Sequence, residues 1–215
     1  MNYSDLKRWI DIAGSLVLLI FLCPVFLCVS FLVWRNIGLP ILFRQQRPGL
    51  HGKPFTLYKF RTMTDARDAD GNLLPDAERL TNFGRFLRRT SLDELPELIN
   101  VLKGDMSLVG PRPLLIRYLP YYTERERKRF EVKPGITGLA QISGRNHLLW
   151  DKRLELDVQY VEQQSLLLDI QILLRTVIKV LKRADVIDVP GLAQLPLDQY
   201  RQGQSKSAQI TPKNS

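Results

Sequence analysis

Between Ile12 and Trp34 the chain carries 23 consecutive residues without a charge, IAGSLVLLIFLCPVFLCVSFLVW, with Pro24 in the middle. A straight helix of that length would span roughly 35 Å, enough to cross a bilayer. A cleaved secretory signal fits poorly. Lys7 and Arg8 resemble its basic start, but the apolar run is too long and no A-x-A-like site follows. Two membrane arrangements remain. In one, the segment is a single-span anchor. In the other it enters, breaks at Pro24 and returns to the same face. Proline removes a backbone hydrogen bond and kinks a helix. Basic residues flank both ends, Lys7 and Arg8 before and Arg35, Arg44 and Arg47 after, so the positive-inside rule gives no direction for a crossing. Each half is about 11 residues, roughly 17 Å, and reaches about half the hydrocarbon thickness. The backbone opened at such a break must be satisfied internally. The residues alone leave span and re-entrant hairpin open.

The rest of the chain reads as a basic globular body. Hydrophobic residues are 45% and charged residues 25%, which excludes wholesale disorder, collagen and an isolated coiled coil. The net charge is +9, and residues 36–195 carry +6 of it once the +1 before them and the +2 after them are removed. That field calls for an anionic partner: nucleic acid, a membrane surface or a phosphorylated substrate. The two cysteines, Cys23 and Cys28, lie in the apolar run and make neither a disulfide framework nor a zinc site.

The fold class expected is mixed α/β and mainly helical. Ile41–Phe43 and Pro54–Phe60 read as strands joined by a turn, a small β-hairpin. Residues 64–79 are polar and turn-rich. As a calcium loop they would put Ala66 and Ala77 at ligand positions, so that reading fails. Residues 95–103 and 114–130 are helix candidates, and the charge run 124–129 reads as a solvated face. Residues 134–146 read as a loop. Within 151–183 an apolar stripe at helical spacing, from Leu154 to Leu181, predicts two helices. The polar sequence after Pro190 predicts a disordered tail. The domains expected are a membrane hairpin over 1–36, a catalytic body over 37–190 and the tail over 191–215.

The densest constellation of chemical groups is Arg85-Phe-Leu-Arg88-Arg89-Thr90-Ser91-Leu92-Asp93-Glu94-Leu95-Pro96-Glu97. Pro96 favours a helix start and disfavours helical geometry at Leu95. The adjacent carboxylates would then stand beside arginines at a helix N-terminus, a place suited to phosphoryl chemistry. Arginine neutralises phosphate, and a carboxylate binds Mg²⁺ or attacks phosphorus. The plainer alternative is a Ser91-x-x-Glu94 capping box. Arg112 stands between Pro111 and Pro113, so its guanidinium leaves a stiff turn. Its alternative is a structural pair with Asp105. Lys133–Gly138 and Ser143–Asn146 form a second basic, glycine-rich segment without P-loop spacing, and neither H-E-x-x-H nor G-x-S-x-G occurs. His51 and His147 are isolated and read as surface residues.

Four segments in order, Lys59-Phe-Arg-Thr-Met63, Ser91-Leu-Asp-Glu-Leu-Pro-Glu-Leu98, Gly104-Asp-Met-Ser-Leu-Val-Gly-Pro-Arg-Pro113 and Lys133-Pro-Gly-Ile-Thr-Gly138, closely resemble the bacterial sugar transferases, or monotopic phosphoglycosyl transferases, and most of all their small members of the PglC type. The resemblance covers roughly residues 5–187. It implies transfer of a phospho-sugar from a UDP-sugar to undecaprenyl (polyprenol) phosphate, yielding polyprenyl-diphosphate-sugar and UMP, the first membrane step of glycan assembly. It implies that Asp93 is the nucleophile of an aspartyl-phosphosugar intermediate and a ligand of Mg²⁺, and that Glu94 assists. Arg112 carries over as a phosphate contact, with Lys59, Arg88 and Arg145 as weaker carry-overs. It also implies a re-entrant helix-break-helix whose break, Ser-Pro in many members, is Cys23-Pro24 here, together with interfacial amphipathic helices in 151–183 that meet membrane lipids. The location implied is the bacterial inner membrane, monotopic, with the catalytic domain facing the cytoplasm. No recognition-helix or aromatic-platform signature occurs, so nucleic acid is set aside as a partner. A catalytically idle scaffold for later glycosyltransferases is the competing class. The sugar, the pathway and the choice between homo-oligomer and association with later glycosyltransferases stay open.

Overall fold

A computed structural model describes residues 2–144, 148–182 and 195–210. The chain opens with two helices, α1 (Tyr3–Phe21) and α2 (Cys23–Asn36), bent by 65° at Leu22. Pro24 lies in the first turn of α2, where its missing N–H costs no intrahelical bond. The proline therefore starts a helix rather than interrupting one. Backbone bonds from Leu22 N to Leu18 O and from Phe26 N to Leu22 O, both 2.8 Å, carry the chain around the bend. Among the described residues no single helix is long and apolar enough to cross a membrane, and only the bent pair meets that test together. Its outer side exposes Val17, Ile20, Phe21, Leu27, Phe31 and Trp34.

The inner side of α1 is pinned to the body by polar groups. Buried Asp11 accepts from Ser107 Oγ at 3.0 Å and Leu108 N at 2.9 Å. Arg8 donates to the carbonyls of Val101 and Leu102 at 2.6 and 2.8 Å. Tyr3 and Lys7 reach Asp169 at 2.9 and 2.6 Å, and Tyr160 closes on the other oxygen of Asp169 at 2.7 Å. Buried carboxylates are tolerated when so fully bonded.

The expected hairpin is present as β1 (Leu42–Pro48) and β2 (Pro54–Phe60), antiparallel with Leu42 opposite Phe60 and Pro48 opposite Pro54. Then come α3 (Asp76–Arg79), α4 (Asn82–Thr90), a 3₁₀ turn Leu92–Glu94 and α5 (Glu97–Lys103). β3 (Ser107–Val109) pairs in parallel with β4 (Gly135–Thr137), Ser107 opposite Gly135 and Val109 opposite Thr137. The segment 134–146, expected as a loop, thus supplies a strand and, over Leu139–Ser143, a short helix, while 145–146 lie outside the described residues. Its glycines permit this. A Cβ on Gly135 would stand 2.1 Å from Gly110 N, and one on Gly110 would stand 2.5 Å from the Lys133 carbonyl.

The single helix expected over 114–130 is instead a 3₁₀ turn Ile116–Tyr121 containing Pro120, α6 (Glu124–Arg127) and a 3₁₀ turn Lys128–Phe130. Thr123 caps α6 in a reciprocal box with Glu126, so the chain restarts there rather than continuing. Its charge run is only partly solvated. Glu126 and Arg129 are buried, while Arg125 and Lys128 pair on the surface with Glu155 and Glu162. After α7 (Leu139–Ser143) come the two helices expected from the stripe, α8 (Trp150–Gln163) and α9 (Leu166–Lys182).

The tail reading needs correction. Residues 197–210 form α10 (Leu197–Ile210), anchored where its sequence is least polar. Leu197 is fully buried among Leu114, Tyr118, Tyr122, Trp150 and Leu154. Arg201 pairs with Glu126 and, at 2.9 Å, with Asp151.

Candidate active site

The site lies where β2, the 3₁₀ turn, the start of α5 and the turn after β3 meet. Ser91 takes left-handed geometry (φ 57°, ψ 17°) at the end of α4, turns the chain and leaves its side chain without a capping bond. The capping-box alternative for Glu94 is thereby excluded. Leu95 is helical (φ −52°, ψ −38°) despite Pro96, because its N–H already closes the 3₁₀ turn on the Leu92 carbonyl at 3.3 Å. Asp93 and Glu94 are delivered side by side just ahead of α5.

Their surroundings differ sharply. Glu94 Oε1 accepts from Lys59 Nζ at 2.8 Å and from Arg112 Nη2. Lys59 also reaches Glu97 at 3.1 Å. Burial pushes the Glu94 carboxyl up, but Arg112 and Lys59 outweigh it and hold Glu94 well below the usual carboxylate range. Glu94 draws Arg112 upward in return. Asp93 is 8% exposed, and no basic side chain among the described residues lies within ion-pair distance of it. Burial first, and the Glu94 charge second, push Asp93 up to about 6. Glu97 is 2% exposed, and burial pushes it up to about 7 against the pull of Lys59.

Arg112 therefore pairs with Glu94 and not with Asp105, whose neighbours are Lys103 and Asn100. Its main chain is held as well. Arg129 Nη2 donates to the Arg112 carbonyl at 2.6 Å and to Asp157 at 2.8 Å, and both members of that ion pair are buried. Arg88, in the last turn of α4, donates from Nε to Thr62 Oγ1 at 3.2 Å. The helix reaches Thr62 because Gly84 lacks a Cβ, which would fall 1.9 Å from the Thr62 carbonyl. Arg145 lies outside the described residues.

Several of these groups line a cleft of about 1500 Å³. Lys59, Arg88 and Arg112 face it with Asp93 and Glu94, while Leu18 of α1, Leu22 at the bend and Leu173, Leu174 and Val177 of α9 supply an apolar wall. A ligand with an anionic head and a greasy tail fits such a lining. Mg²⁺ commonly takes only one or two protein carboxylates and completes its shell with substrate phosphates and water. Asp93 fits that pattern, since Glu94 is already spent on two cations.

The structure brings together Lys59, Arg88, Asp93, Glu94 and Arg112 around one cleft. It adds Glu97, Arg129 and Asp157, for which sequence reasoning had no role. Asp157 had a faint signal, a carboxylate inside the apolar stripe between Leu154 and Val158. Arg129 had none, being one cation in a charge run.

A family model described as Bacterial sugar transferase matches residues 2–183. "Uncharacterized sugar transferase EpsL" of Bacillus subtilis is 60% identical over 176 residues, covering 82% of this chain and 87% of that protein. "Undecaprenyl-phosphate galactose phosphotransferase" of Salmonella typhimurium is 43% identical over 195 residues, covering 83% of this chain and 41% of its own length. "UDP-glucose:undecaprenyl-phosphate glucose-1-phosphate transferase" of Escherichia coli is 40% identical over 196 residues, with 81% and 40% covered. The chain thus spans about two-fifths of the length of the last two.

Proposed function

Because this chain belongs to the bacterial sugar transferase family, we propose that it moves a phospho-sugar from a UDP-sugar to undecaprenyl phosphate, giving polyprenyl-diphosphate-sugar and UMP. The observation that carries this reading is the asymmetry of the two carboxylates. Glu94 is locked by Lys59 and Arg112, whereas Asp93 faces a cleft that is cationic on one side and apolar on the other. A nucleophile must be free to move toward phosphorus, and Asp93 is the one so placed.

In the first half-reaction an Asp93 oxygen attacks the sugar-linked phosphorus. The bond from that phosphorus to the bridging oxygen breaks, its electron pair stays with UMP, and a phosphosugar-aspartyl ester remains. In the second, an oxygen of the lipid phosphate attacks the same phosphorus and Asp93 leaves as the carboxylate. Arg112, Lys59 and Arg88 neutralise phosphate oxygens in both. Glu94 holds Arg112 and Lys59 in place for that work. When bound, Mg²⁺ offsets charge on the diphosphate, and Asp93 is the side chain that would hold it.

The bent pair α1–α2 enters the inner membrane from the cytoplasmic side and returns to it, and the exposed apolar face of α9 lies along the interface. Support comes from the 65° bend and from the outward Leu, Val, Ile, Phe and Trp side chains. A cysteine placed at residue 2 and labelled only from the periplasmic side would sink this topology.

The function is tested by UMP release from the nanodisc-held protein with Mg²⁺, undecaprenyl phosphate and a panel of UDP-sugars. Repeated release should need the lipid phosphate; with lipid withheld, about one equivalent of UMP should leave per enzyme and intact mass should show the phosphosugar adduct. Asp93→Asn should abolish both. Only ionised Asp93 attacks, so adduct formation should fall as pH drops through about 6. Turnover that survives Asp93→Asn would refute the assignment.

A further inference from the structure

Glu97 opens α5 and is buried, though a glutamate at a helix start ordinarily stands near the free backbone N–H groups and water. Its Oε1 lies 3.1 Å from Lys59 Nζ, and the same ammonium reaches Glu94 Oε1 at 2.8 Å. Lys59, Glu94 and Asp93 line the cleft, whereas Glu97 is not among the residues of that lining. An ammonium carries three N–H donors on a flexible four-carbon stem. Glu94 and Glu97 engage two of them, which leaves the third for the cleft.

The strand that carries Lys59 is fastened to α5 by another residue. Asn100, fully buried one turn after Glu97, accepts from Tyr58 N at 3.0 Å and donates from Nδ2 to the Thr56 carbonyl at 2.7 Å. Residues three apart share a helix face, so Asn100 holds the β2 backbone and Glu97 the side-chain head that extends from it. Burial works against the Lys59 charge, and Glu94 and then Glu97 outweigh it, so the ammonium is held above its ordinary range. Glu97, itself pushed up to about 7 by burial, is partly protonated at neutral pH. The neutral acid still accepts through its carbonyl oxygen, as an amide would.

We propose that Glu97 is a positioning residue that acts through Lys59: with Glu94 it holds the ammonium between two oxygens, so that the third N–H is aimed at a phosphate oxygen of the UDP-sugar in the cleft. The inference rests on the proposed function. Glu97 itself touches no substrate. Its contribution is to spare Lys59 the rotamer freedom that it would otherwise lose when the substrate binds.

The test follows adduct formation from UDP-sugar by intact mass, with the full chain in nanodiscs. Glu97→Met keeps the length of the side chain and removes its oxygens. The rate constant divided by the half-saturating concentration of UDP-sugar should fall about tenfold, the scale of one lost charge-assisted hydrogen bond. Glu97→Gln, which keeps an acceptor, should stay within about threefold of the unaltered protein. In a Lys59→Met background, where Arg88 and Arg112 still meet phosphate, adding Glu97→Met should change the same ratio by no more than about twofold. Glu97→Leu serves as the second apolar variant, and thermal unfolding in the nanodisc sets the folded fraction to which every rate is referred. A loss at Glu97→Met no greater than at Glu97→Gln, or one of equal size when Lys59 is already absent, overturns the positioning role. Absence of any adduct in the unaltered protein would instead refute the function on which it rests.

Discussion

Helices α8 and α9 follow one another with only Gln164 and Ser165 between them, and both carry apolar residues at helical spacing. Their stripes have opposite fates. On α8, Leu154, Leu156, Val158, Tyr160 and Val161 are buried. On α9, Leu167, Ile170 and Ile178 are exposed, Leu174 and Val177 are exposed along the cleft, and Ile172 is the one fully buried apolar residue among those of α9 whose burial is described. Periodicity creates a face but does not say what covers it. The α8 face meets α6, α7 and the Lys128–Phe130 turn, whereas the outer face of α9 meets no described part of the protein. Apolar faces that nothing covers commonly meet a partner or a membrane surface.

Breaking the α8 side should have the larger consequences. Asp157→Asn removes one partner of a buried ion pair and strands Arg129, which should cost about 3–5 kcal/mol of stability by denaturant unfolding in detergent. It should also slow adduct formation, because Arg129 holds the Arg112 carbonyl. Full stability with full activity would show that the pair is dispensable. Leu154→Ala, at a position with no exposure, should cost about 2–5 kcal/mol through lost burial and the cavity left behind. Arg112 would keep its anchors there, so any loss of activity should follow the loss of folded protein.

On α9 the same kind of change should act on location instead. Leu167→Ser with Ile178→Ser should alter stability by about 0.5 kcal/mol or less per site, yet weaken flotation with vesicles of anionic lipid. A stability loss as large as that of Leu154→Ala would mean that this face is packed against protein, and the contrast between the helices would collapse. The smallest effect is expected at Arg125→Ala, whose pairs with Glu155 and Glu162 are solvent-screened, so the denaturant midpoint should not move measurably.

Much of the site was legible because its parts are local. The Asp93-Glu94 pair, the Pro-Arg-Pro turn and Lys59 each sit in a short motif whose residue types already imply phosphate chemistry. The partners that make them work were not. Arg129 meets Asp157 across 28 positions, and Arg47 meets Pro113 across 66. Nothing in a charge run tells which member turns inward. Elements built on small contacts were also hidden. The β3–β4 pair has three residues on each side, with Gly135 opening β4, and α10 is held at Leu197 and Arg201 in an otherwise polar stretch.

The amino-acid sequence by itself determined the broken apolar entry, the hairpin, the amphipathic pair after residue 150 and the adjacent carboxylates, since each depends on residues within a turn or two of one another. Tertiary structure alone decided that Glu94 is clamped while Asp93 faces the cleft, that the apolar face of α8 is covered while the outer face of α9 meets no described part of the protein, and that Arg47, Arg112 and Arg153 line the same cleft. Those outcomes depend on which distant groups share a low-dielectric space, and charge and burial act through distance in space rather than along the chain.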